Sequence, residues 1–320
     1  MLKAFKVTQL IRNRRLHTAP SDLNLAALKS WMATPKQLVL EDSLRPEHLT
    51  SLYVTLPTRD ERVYAQPLNG TPLGYGHHLV FFHARNPETL LRADGTDADF
   101  CPPEPFTRRM WAGGRITWNG KKPLIVGRDA TAKTSVQHVT TKGLETGNPM
   151  VFVNQKIDIT MNGETEPSLH EERTHVYLPN RERAADAKAR PISDLPTSVD
   201  FSYKYTPTPT TLFRFSALTF NGHYIHLDKE YAQKVEGYTE RLVHGPLTAL
   251  MLLEALVYHN PTATIKAFDY RARNPLMVNN PLTIYGAWKD QANVKLWCVD
   301  QNGTVGMTGI AELETDDNLQ

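Results

Sequence analysis

The chain of 320 residues is short of cysteine, of metal-binding motifs and of long apolar runs. Its two cysteines, Cys101 and Cys298, are too few for a disulfide framework and indicate a reducing compartment. Its histidines lack the cysteine or HExxH partners of a zinc site, so the adjacent His77 and His78 are interpreted as a solvated or structural pair. No apolar run reaches about 18 residues, and a membrane span is therefore not expected. We predict no metal and no cofactor.

Acidic residues are absent from the first 21 positions, since the first acid is Asp22. The same stretch holds five of the 36 Lys and Arg residues, together with the apolar Leu2, Phe5, Leu10 and Ile11. This composition predicts a mitochondrial transit peptide, with a disordered basic tail as the alternative. Because the small positive balance of the chain belongs to this leader, nucleic-acid binding has no support from charge. We predict a protein of the mitochondrial matrix.

The whole chain is 40% hydrophobic, which is sufficient for two domains of ordinary size, each with its own core. Residues 179–209 are rich in charge, Pro, Ser and Thr, and such a composition buries little apolar surface. We predict that this stretch links an N-terminal lobe at 22–178 to a C-terminal lobe at 210–316. The sequence TPTPTT at 206–211 is interpreted as an extended lead-in to the second lobe.

One apolar helix is the clearest element of the sequence. Pro246 suits a first helical position, and 247–257 place apolar residues at three- and four-residue steps and on the other faces as well. A helix that is hydrophobic all round is a buried helix. Its free N–H groups and its positive dipole end then need an anionic or carbonyl partner inside the protein, which a thioester oxygen would supply.

A polar cluster precedes this helix and ends at His226, and apolar residues of β type bracket it. Asn221 lies five residues before His226, across a Gly222 that permits a tight turn, so both side chains could converge on one water. This pattern predicts an acid/base site at which His226 faces the helix N-terminus. A hydrogen-bonded structural histidine is the alternative, and His223 is assigned to that class.

These segments resemble a known family. FSALTFNGHYIHLDKEYA at 215–232 and LVHGPLTALMLLEAL at 242–256 are similar to the MaoC-like, R-specific enoyl-thioester hydratases and dehydratases. In that motif, an acidic or amide residue and a histidine five positions later form a dyad, here Asn221 and His226. Three upstream segments resemble the N-terminal half of the fungal mitochondrial type 2 hydroxyacyl-thioester dehydratases: LGYGHHLVFF at 73–82, DGTDADF at 94–100 and PFTRRMWAGGRITW at 105–118. FNGH, with an amide where many relatives carry Asp, also resembles the mesaconyl- and itaconyl-CoA hydratases.

The resemblance implies an α+β double hot-dog fold, in which a curved antiparallel sheet wraps a long helix, twice in one chain. Alternating patterns predict strands at 79–82, 114–118, 123–127, 135–142, 150–159 and 170–177, and after the helix at 264–271, 282–288, 293–299 and 303–313. Only the weak candidate at 46–52 corresponds to a helix in the first lobe. We therefore expect that this lobe has lost or shortened its central helix and is not catalytic.

The resemblance also implies reversible dehydration of a 3-hydroxyacyl thioester. His226 would remove the α-proton, Asn221 would hold the β-hydroxyl, and amides near Gly245 and Leu247 would bind the thioester oxygen. The other residues expected to line the pocket are Thr219, Phe220, Gly222 and His244. Arg271 and Arg273 are candidate contacts for phosphopantetheine or an acidic carrier protein, as are Arg108 and Arg109, with ordinary strand arginines as the alternative.

Two classes of function remain open at this stage. The first is an enzyme acting on acyl-CoA or acyl carrier protein thioesters, either in mitochondrial type II fatty-acid synthesis or as a CoA-linked hydratase of mesaconyl- or itaconyl-type groups. The second is a catalytically silent acyl-thioester binding protein, because the amide of Asn221 cannot accept a proton. Two lobes in one chain could supply the paired sheet of a dimer, so a monomer and a homodimer are both compatible with the sequence.

Overall fold

The computed structural model describes residues 23–60, 67–179 and 189–315, so the predicted transit peptide lies outside the described residues. The N-terminal half contains α1 (Leu25–Ala33), β1 (Gln37–Ser43), α2 (Pro46–Tyr53), β2 (Arg108–Trp118), β3 (Asp129–Lys142), β4 (Met150–Met161) and β5 (Leu169–Leu178). The C-terminal half contains β6 (Phe201–Tyr205), α3 (Pro209–Leu218), α4 (Tyr224–Leu227), α5 (Lys229–Lys234), α6 (Gly245–His259), β7 (Ile265–Ala272), β8 (Leu282–Trp288), β9 (Asn293–Asp300) and β10 (Val305–Leu313).

The strands form one antiparallel sheet in the order β1-β3-β4-β5-β2-β7-β10-β9-β8-β6. The first five strands in this order come from the N-terminal half of the chain and the last five from the C-terminal half. The halves meet where β2 pairs with β7, from the Gly113–Arg271 pair to the Thr117–Ala267 pair. Ion pairs of Arg115 with Asp269 and Glu312 lie at this junction.

The segment RRMWAGG makes this junction possible. The register of β2 against β5 shifts between Trp111 and Gly113, which marks a bulge. A Cβ atom on Gly113 would lie 2.4 Å from the carbonyl oxygen of Tyr270 on β7, so only glycine allows β2 and β7 to approach so closely. The glycines are therefore explained by the path of the backbone where the two halves join.

Helix α6 is the centre of the molecule, and the prediction that it is buried on all faces is confirmed. Every residue from Leu247 to Leu256 is buried. The helix packs on β6, β8, β9 and β10 of its own half and on two short 3₁₀ segments of the other half, Pro57–Arg59 and His77–Val80. Side chains of both halves belong to one apolar cluster around it. Both halves of the sheet consequently depend on one helix for much of their core.

The first half contains a much shorter helix, as the pattern at 46–52 predicts. Helix α2 has 8 residues against the 15 of α6, and it buries Leu49 and Leu52. It begins at Pro46, which sets a helical φ at the first position where its missing N–H costs nothing. Apolar residues of the segments that follow α2, among them Leu79, belong to the same core cluster.

Two predicted strands are wrong. Residues His77–Val80 form a 3₁₀ turn instead of a strand at 79–82, because a short apolar run has no periodicity that separates strand from buried helix. The stretch 123–127 makes only the isolated bridge between Pro72 and Ile125, and Pro123 has no N–H to extend a ladder.

The region between the halves also differs from the expectation. Strand β6 lies inside the predicted linker 179–209 and pairs with β8, so strands of the second half begin before residue 210. The TPTPTT stretch is not extended throughout, since Thr208 forms a capping box with Thr211 and begins α3. The residues around Phe215 belong to this helix, so the prediction that they are of β type is wrong. The division into lobes at these boundaries stays a prediction.

Among the described residues, none of the helices has the length and apolar character needed to cross a membrane.

Candidate active site

His226 lies on the short helix α4, and its ring has a defined tautomer. Its Nδ1 is 2.8 Å from the carbonyl oxygen of Leu242. A carbonyl oxygen only accepts, so Nδ1 carries the proton and donates it, which leaves Nε2 as the basic nitrogen. Burial lowers the pKa of His226 to about 4, and the positive charge of Arg109 also lowers it, while the bond to Leu242 opposes the shift. His226 is therefore a neutral imidazole with a free Nε2 at neutral pH.

His244 holds the ring of His226 in place. The two imidazoles stack with their centroids 3.7 Å apart and their planes 22° apart. Nε2 of His244 forms a 2.9 Å hydrogen bond with Oγ of Ser216, which comes from α3, and Phe215 packs against the same ring. Burial, followed by the neighbouring His226 and His223, lowers the pKa of His244 well below its usual value. A neutral, hydrogen-bonded His244 thus limits the rotation of the catalytic candidate.

The N-terminus of α6 begins directly after His244. No side chain caps it, Pro246 has no N–H, and the N–H of Thr248 donates to the carbonyl of His244. Within the described ranges, the N–H groups of Gly245 and Leu247 have no hydrogen-bond acceptor. These are two of the orphan donors that a helix start leaves, and they coincide with its positive dipole end. The predicted pair of thioester-binding amides is therefore free to bind an oxygen.

Trp111 of β2 covers this helix start from the other half of the molecule. A Cβ atom on Gly245 would lie 3.0 Å from both Cβ and Cγ of Trp111, so the indole packs directly against the glycine. The ring also stacks with Tyr270 and meets His175 edge-on. Trp111 is a site residue that sequence reasoning missed, although it lies inside RRMWAGG, one of the segments that carry the family resemblance.

Asn221 has an amide whose orientation follows from its neighbours. Its Oδ1 accepts a 3.1 Å hydrogen bond from the backbone N–H of His223, and its own N–H donates to the carbonyl of Ser216. The Nδ2 protons of Asn221 are consequently the part of the side chain that can bind a ligand oxygen. The turn here has its left-handed residue at Phe220, with φ of 48°, and not at Gly222 as expected.

Gly222 instead allows the first half of the chain to approach. A Cβ atom on Gly222 would lie 3.0 Å from the carbonyl oxygen of Gly95, and one on Gly95 would lie 2.2 Å from the carbonyl oxygen of Gly222, so the two glycines bring two loops into direct contact. The carbonyl of Asp94 accepts a 3.0 Å bond from the N–H of Tyr224, and its carboxylate lies 3.8 Å from Nε2 of His223. The ring of His223 in turn contacts that of His226. Asp94 is thus a further residue beside the site that sequence reasoning missed, although DGTDADF contains it.

The remaining predicted residues lie in several different environments. Thr219 is buried and its hydroxyl donates to the carbonyl of Phe215, whereas Phe220 is 61% exposed. Arg271 is exposed on β7. Arg273 donates to the hydroxyl of Thr308 and lies 4.0 Å from Asp194. A role in carrier binding stays a prediction for both arginines.

The histidine pair at 77 and 78 is engaged in buried ion-pairing networks. Nε2 of His77 lies 2.8 Å from Glu254, which also binds Arg59, and Nε2 of His78 lies 3.2 Å from Glu171, which also binds Arg173. The two imidazoles therefore face different carboxylates. In the described ranges, no group of three or more His, Cys, Asp or Glu side chains is arranged to hold a metal ion.

Comparisons with known proteins agree with this architecture. Residues 76–278 match the family model described as hydroxyacyl-thioester dehydratase type 2. The chain is 34% identical over 250 residues to the mesaconyl-C(4)-CoA hydratase of Chloroflexus aurantiacus, covering 77% of this chain and 86% of that protein. It is 29% identical over 283 residues to the mitochondrial hydroxyacyl-thioester dehydratase type 2 of Schizosaccharomyces pombe, covering 78% and 89%.

Solved structures confirm the predicted fold. A MaoC-like dehydratase from Phytophthora capsici superimposes with a TM-score of 0.63 at 13% identity, covering 92% of this chain and 99% of that one. A Mycobacterium tuberculosis protein described as having a double hot-dog fold superimposes with a TM-score of 0.51 at 13% identity, covering 87% and 96%. The ten-stranded sheet around α6 is accordingly a double hot-dog fold.

Proposed function

This chain belongs to the hydroxyacyl-thioester dehydratase type 2 family, and we propose that it catalyses the reversible dehydration of a 3-hydroxyacyl thioester to the 2-enoyl thioester. One observation supports this most strongly. Nδ1 of His226 donates its proton to the carbonyl of Leu242, so Nε2 is the free, basic nitrogen of the ring. His226 lies beside the start of α6, where two backbone amides have no acceptor in the described residues. A proton acceptor and an oxyanion site are the two groups that this reaction requires.

The proposed mechanism uses one base. In the dehydration direction, Nε2 of His226 takes the α-proton, and the enolate oxygen of the thioester receives hydrogen bonds from the N–H groups of Gly245 and Leu247. The electron pair then forms the Cα–Cβ double bond as the bond to the β-oxygen breaks. The imidazolium of His226 returns the proton to that oxygen, which leaves as water. Because the same nitrogen takes and returns the proton, hydrogen and charge balance without a second acid.

Asn221 suits this one-base route. An amide cannot accept a proton, but the Nδ2 protons can donate to the β-hydroxyl and orient it for departure. His244 acts on the reaction through His226, since it stacks on that ring and is itself held by Ser216. Thr219, Phe220 and Gly222 belong to the adjoining loop and are proposed to shape the pocket.

The proposed substrates are acyl groups carried on CoA or on acyl carrier protein, because the named relatives act on thioesters. The Schizosaccharomyces pombe relative is named as mitochondrial, and the basic, acid-free leader of this chain supports the same location. We place the enzyme in the matrix, with a role in type II fatty-acid synthesis. The 34% identity to a mesaconyl-C(4)-CoA hydratase favours a second candidate, a CoA-linked hydratase of short branched or dicarboxylic acyl groups.

The test compares wild type with His226→Gln on crotonyl-CoA and crotonyl-acyl carrier protein. Hydration is monitored as the decrease in the absorbance of the enoyl group. We expect turnover by the wild type and a loss of about 100- to 10,000-fold in the variant, which is the range of general base catalysis. His259→Gln is a matched control, since this imidazole lies at the far end of α6 and bonds to the carbonyl of Ser202. Binding of both thioesters without turnover by the wild type would instead identify a silent acyl-thioester binding protein.

A further inference from the structure

Arg109 lies on the inner face of the N-terminal half, opposite the catalytic candidates. It is paired across the strands with Tyr177, and the next residue on the same face, Trp111, is paired with His175. Side chains that are directly opposed on two strands lie on the same face and within contact distance, and diagonal neighbours remain in reach of long side chains. The guanidinium of Arg109 and the imidazole of His175 therefore share one surface. Trp111 lies on the same surface and separates this pair from Gly245.

Arg109 has no carboxylate partner in the part of the chain that the structure describes. It is half-buried, and its cross-strand neighbour is Tyr177, whose hydroxyl is a neutral group. The other half-buried arginines in the same ranges each have a carboxylate oxygen within 4.0 Å: Arg59, Arg92, Arg108, Arg115, Arg173, Arg241 and Arg273. Asp94 is close enough to favour the charged guanidinium, but its carboxylate is already bound by Thr96 and lies nearest to Arg92 and His223.

His175 provides a second unsatisfied group on this surface. The residue is 9% exposed, and its Nδ1 is buried without a hydrogen-bond partner in the described residues. Burial, followed by the charges of Arg109 and Arg173, lowers its pKa well below the usual value, so the ring is neutral and offers one N–H donor. A buried polar atom without a partner costs free energy, which a ligand that accepts a hydrogen bond would recover.

This surface belongs to the same site as His226. The charge of Arg109 acts on the imidazoles of His223 and His226, so its guanidinium lies within Coulombic range of both rings. Trp111, two residues along β2, rests against Gly245 at the proposed thioester position. Successive residues on one face of a strand are about 6.6 Å apart along the strand, which is similar to the end-to-end length of a four-carbon dicarboxylic acyl group between its terminal oxygens.

We propose that Arg109, together with the Nδ1 side of His175, binds the free carboxylate of a short dicarboxylic acyl group whose thioester end is bound at Gly245 and His226. The proposal rests on the proposed function, because it assigns the acyl chain to the same dehydratase site. A guanidinium without a protein carboxylate and a neutral N–H donor form a complementary site for a planar anion. The CoA phosphates are separated from the thioester by the whole pantetheine arm, so the carboxylate of the acyl group is the anion that fits a cation beside His226.

The test uses two CoA thioesters that differ only at the distal carbon. Crotonyl-CoA carries a methyl group where the mono-CoA thioester of fumarate carries a carboxylate. We expect the wild type to hydrate the fumarate thioester with the higher kcat/KM. Arg109→Met should lower kcat/KM for that substrate by about 100-fold and change the value for crotonyl-CoA by less than about 3-fold. Arg109→Lys retains the charge but not the two parallel N–H donors of the guanidinium, so its kcat/KM for the fumarate thioester should lie between those of the wild type and Arg109→Met.

Arg128→Met is the matched control, because this arginine is exposed, and it should leave both values unchanged. The methyl ester of the fumarate thioester tests the proposal in the wild type without any substitution, and we expect it to react no faster than crotonyl-CoA. Equal loss on both substrates in Arg109→Met would overturn the proposal, as would equal rates on the acid and its ester. Turnover of crotonyl-CoA alone overturns this inference and leaves the proposed function standing. Turnover of neither CoA thioester overturns this inference, and it overturns the proposed function as well only if crotonyl-acyl carrier protein is also not turned over.

Discussion

The acid limb of the pH–rate profile is the most direct test of the environment of His226. Its burial lowers the pKa to about 4, against an ordinary value near 6.5. A base is active when deprotonated, so kcat/KM should stay on its plateau from neutral pH down to about pH 5 and fall by half near pH 4. At pH 5, about 90% of an imidazole with a pKa of 4 is deprotonated, but only about 3% of one with a pKa of 6.5. The two cases therefore differ by about 30-fold at a single pH.

The assay should use the N-acetylcysteamine thioester of crotonate, which has no ionisable group. CoA carries a phosphate monoester that titrates near pH 6 and would add a limb of its own. Circular dichroism at each pH establishes that the protein remains folded over the range. An acid limb with its midpoint at pH 6 to 7 in folded protein would refute the description of His226 as a desolvated base. A limb at low pH that persists in His226→Gln would assign it to another group.

Three further outcomes follow from the contacts of the site and the core. Asn221→Ala should lower kcat/KM by about 10- to 100-fold through loss of the amide donor, and unchanged rates would exclude that donor from the reaction. Gly245→Ala places a methyl group 3.0 Å from Trp111 and should lower kcat/KM by about 10-fold or more, whereas an unaffected rate would show that the amide can shift freely. Glu254→Ala removes the buried partner of Arg59 and should reduce the free energy of unfolding by about 3–5 kcal/mol in urea titration; a loss under 1 kcal/mol would contradict a buried network.

The elements that could be predicted from the sequence are those whose own residues show a clear hydrophobic pattern, either apolar on all faces or alternating. Helix α6 is apolar all round and starts with a proline, and its buried length is recovered almost to the residue. Strand β8 has the predicted bounds, because its alternation is strict and turns flank it. Strand β6 could not be predicted, since it lies in a polar, proline-rich stretch that has the composition of a linker and becomes a strand only because β8 provides a partner. Helix α3 follows this stretch, and its apolar residues around Phe215 are of β type, so they give no helical signal.

The site shows the same division between local and distant information. His226, Asn221 and the amides of α6 are close in sequence, so their spacing together with the family motif predicts them as one site. Trp111, Asp94 and the pairing state of Arg109 depend on how the first half folds across the second, and no local pattern carries that information. Gly222 illustrates the difference, because its need for glycine arises from contact with Gly95 and not from its own backbone angles.

The shared apolar cluster around α6 has a thermodynamic consequence. The main interior of each half would open if the other half unfolded, because side chains from both surround the same helix, and only the smaller clusters around Phe106 and Ile225 belong to one half each. Melting should accordingly be a single cooperative transition, with one calorimetric peak whose enthalpy scales with the whole chain. A polypeptide ending before residue 200 would expose the face that normally rests against α6 and should aggregate rather than fold by itself.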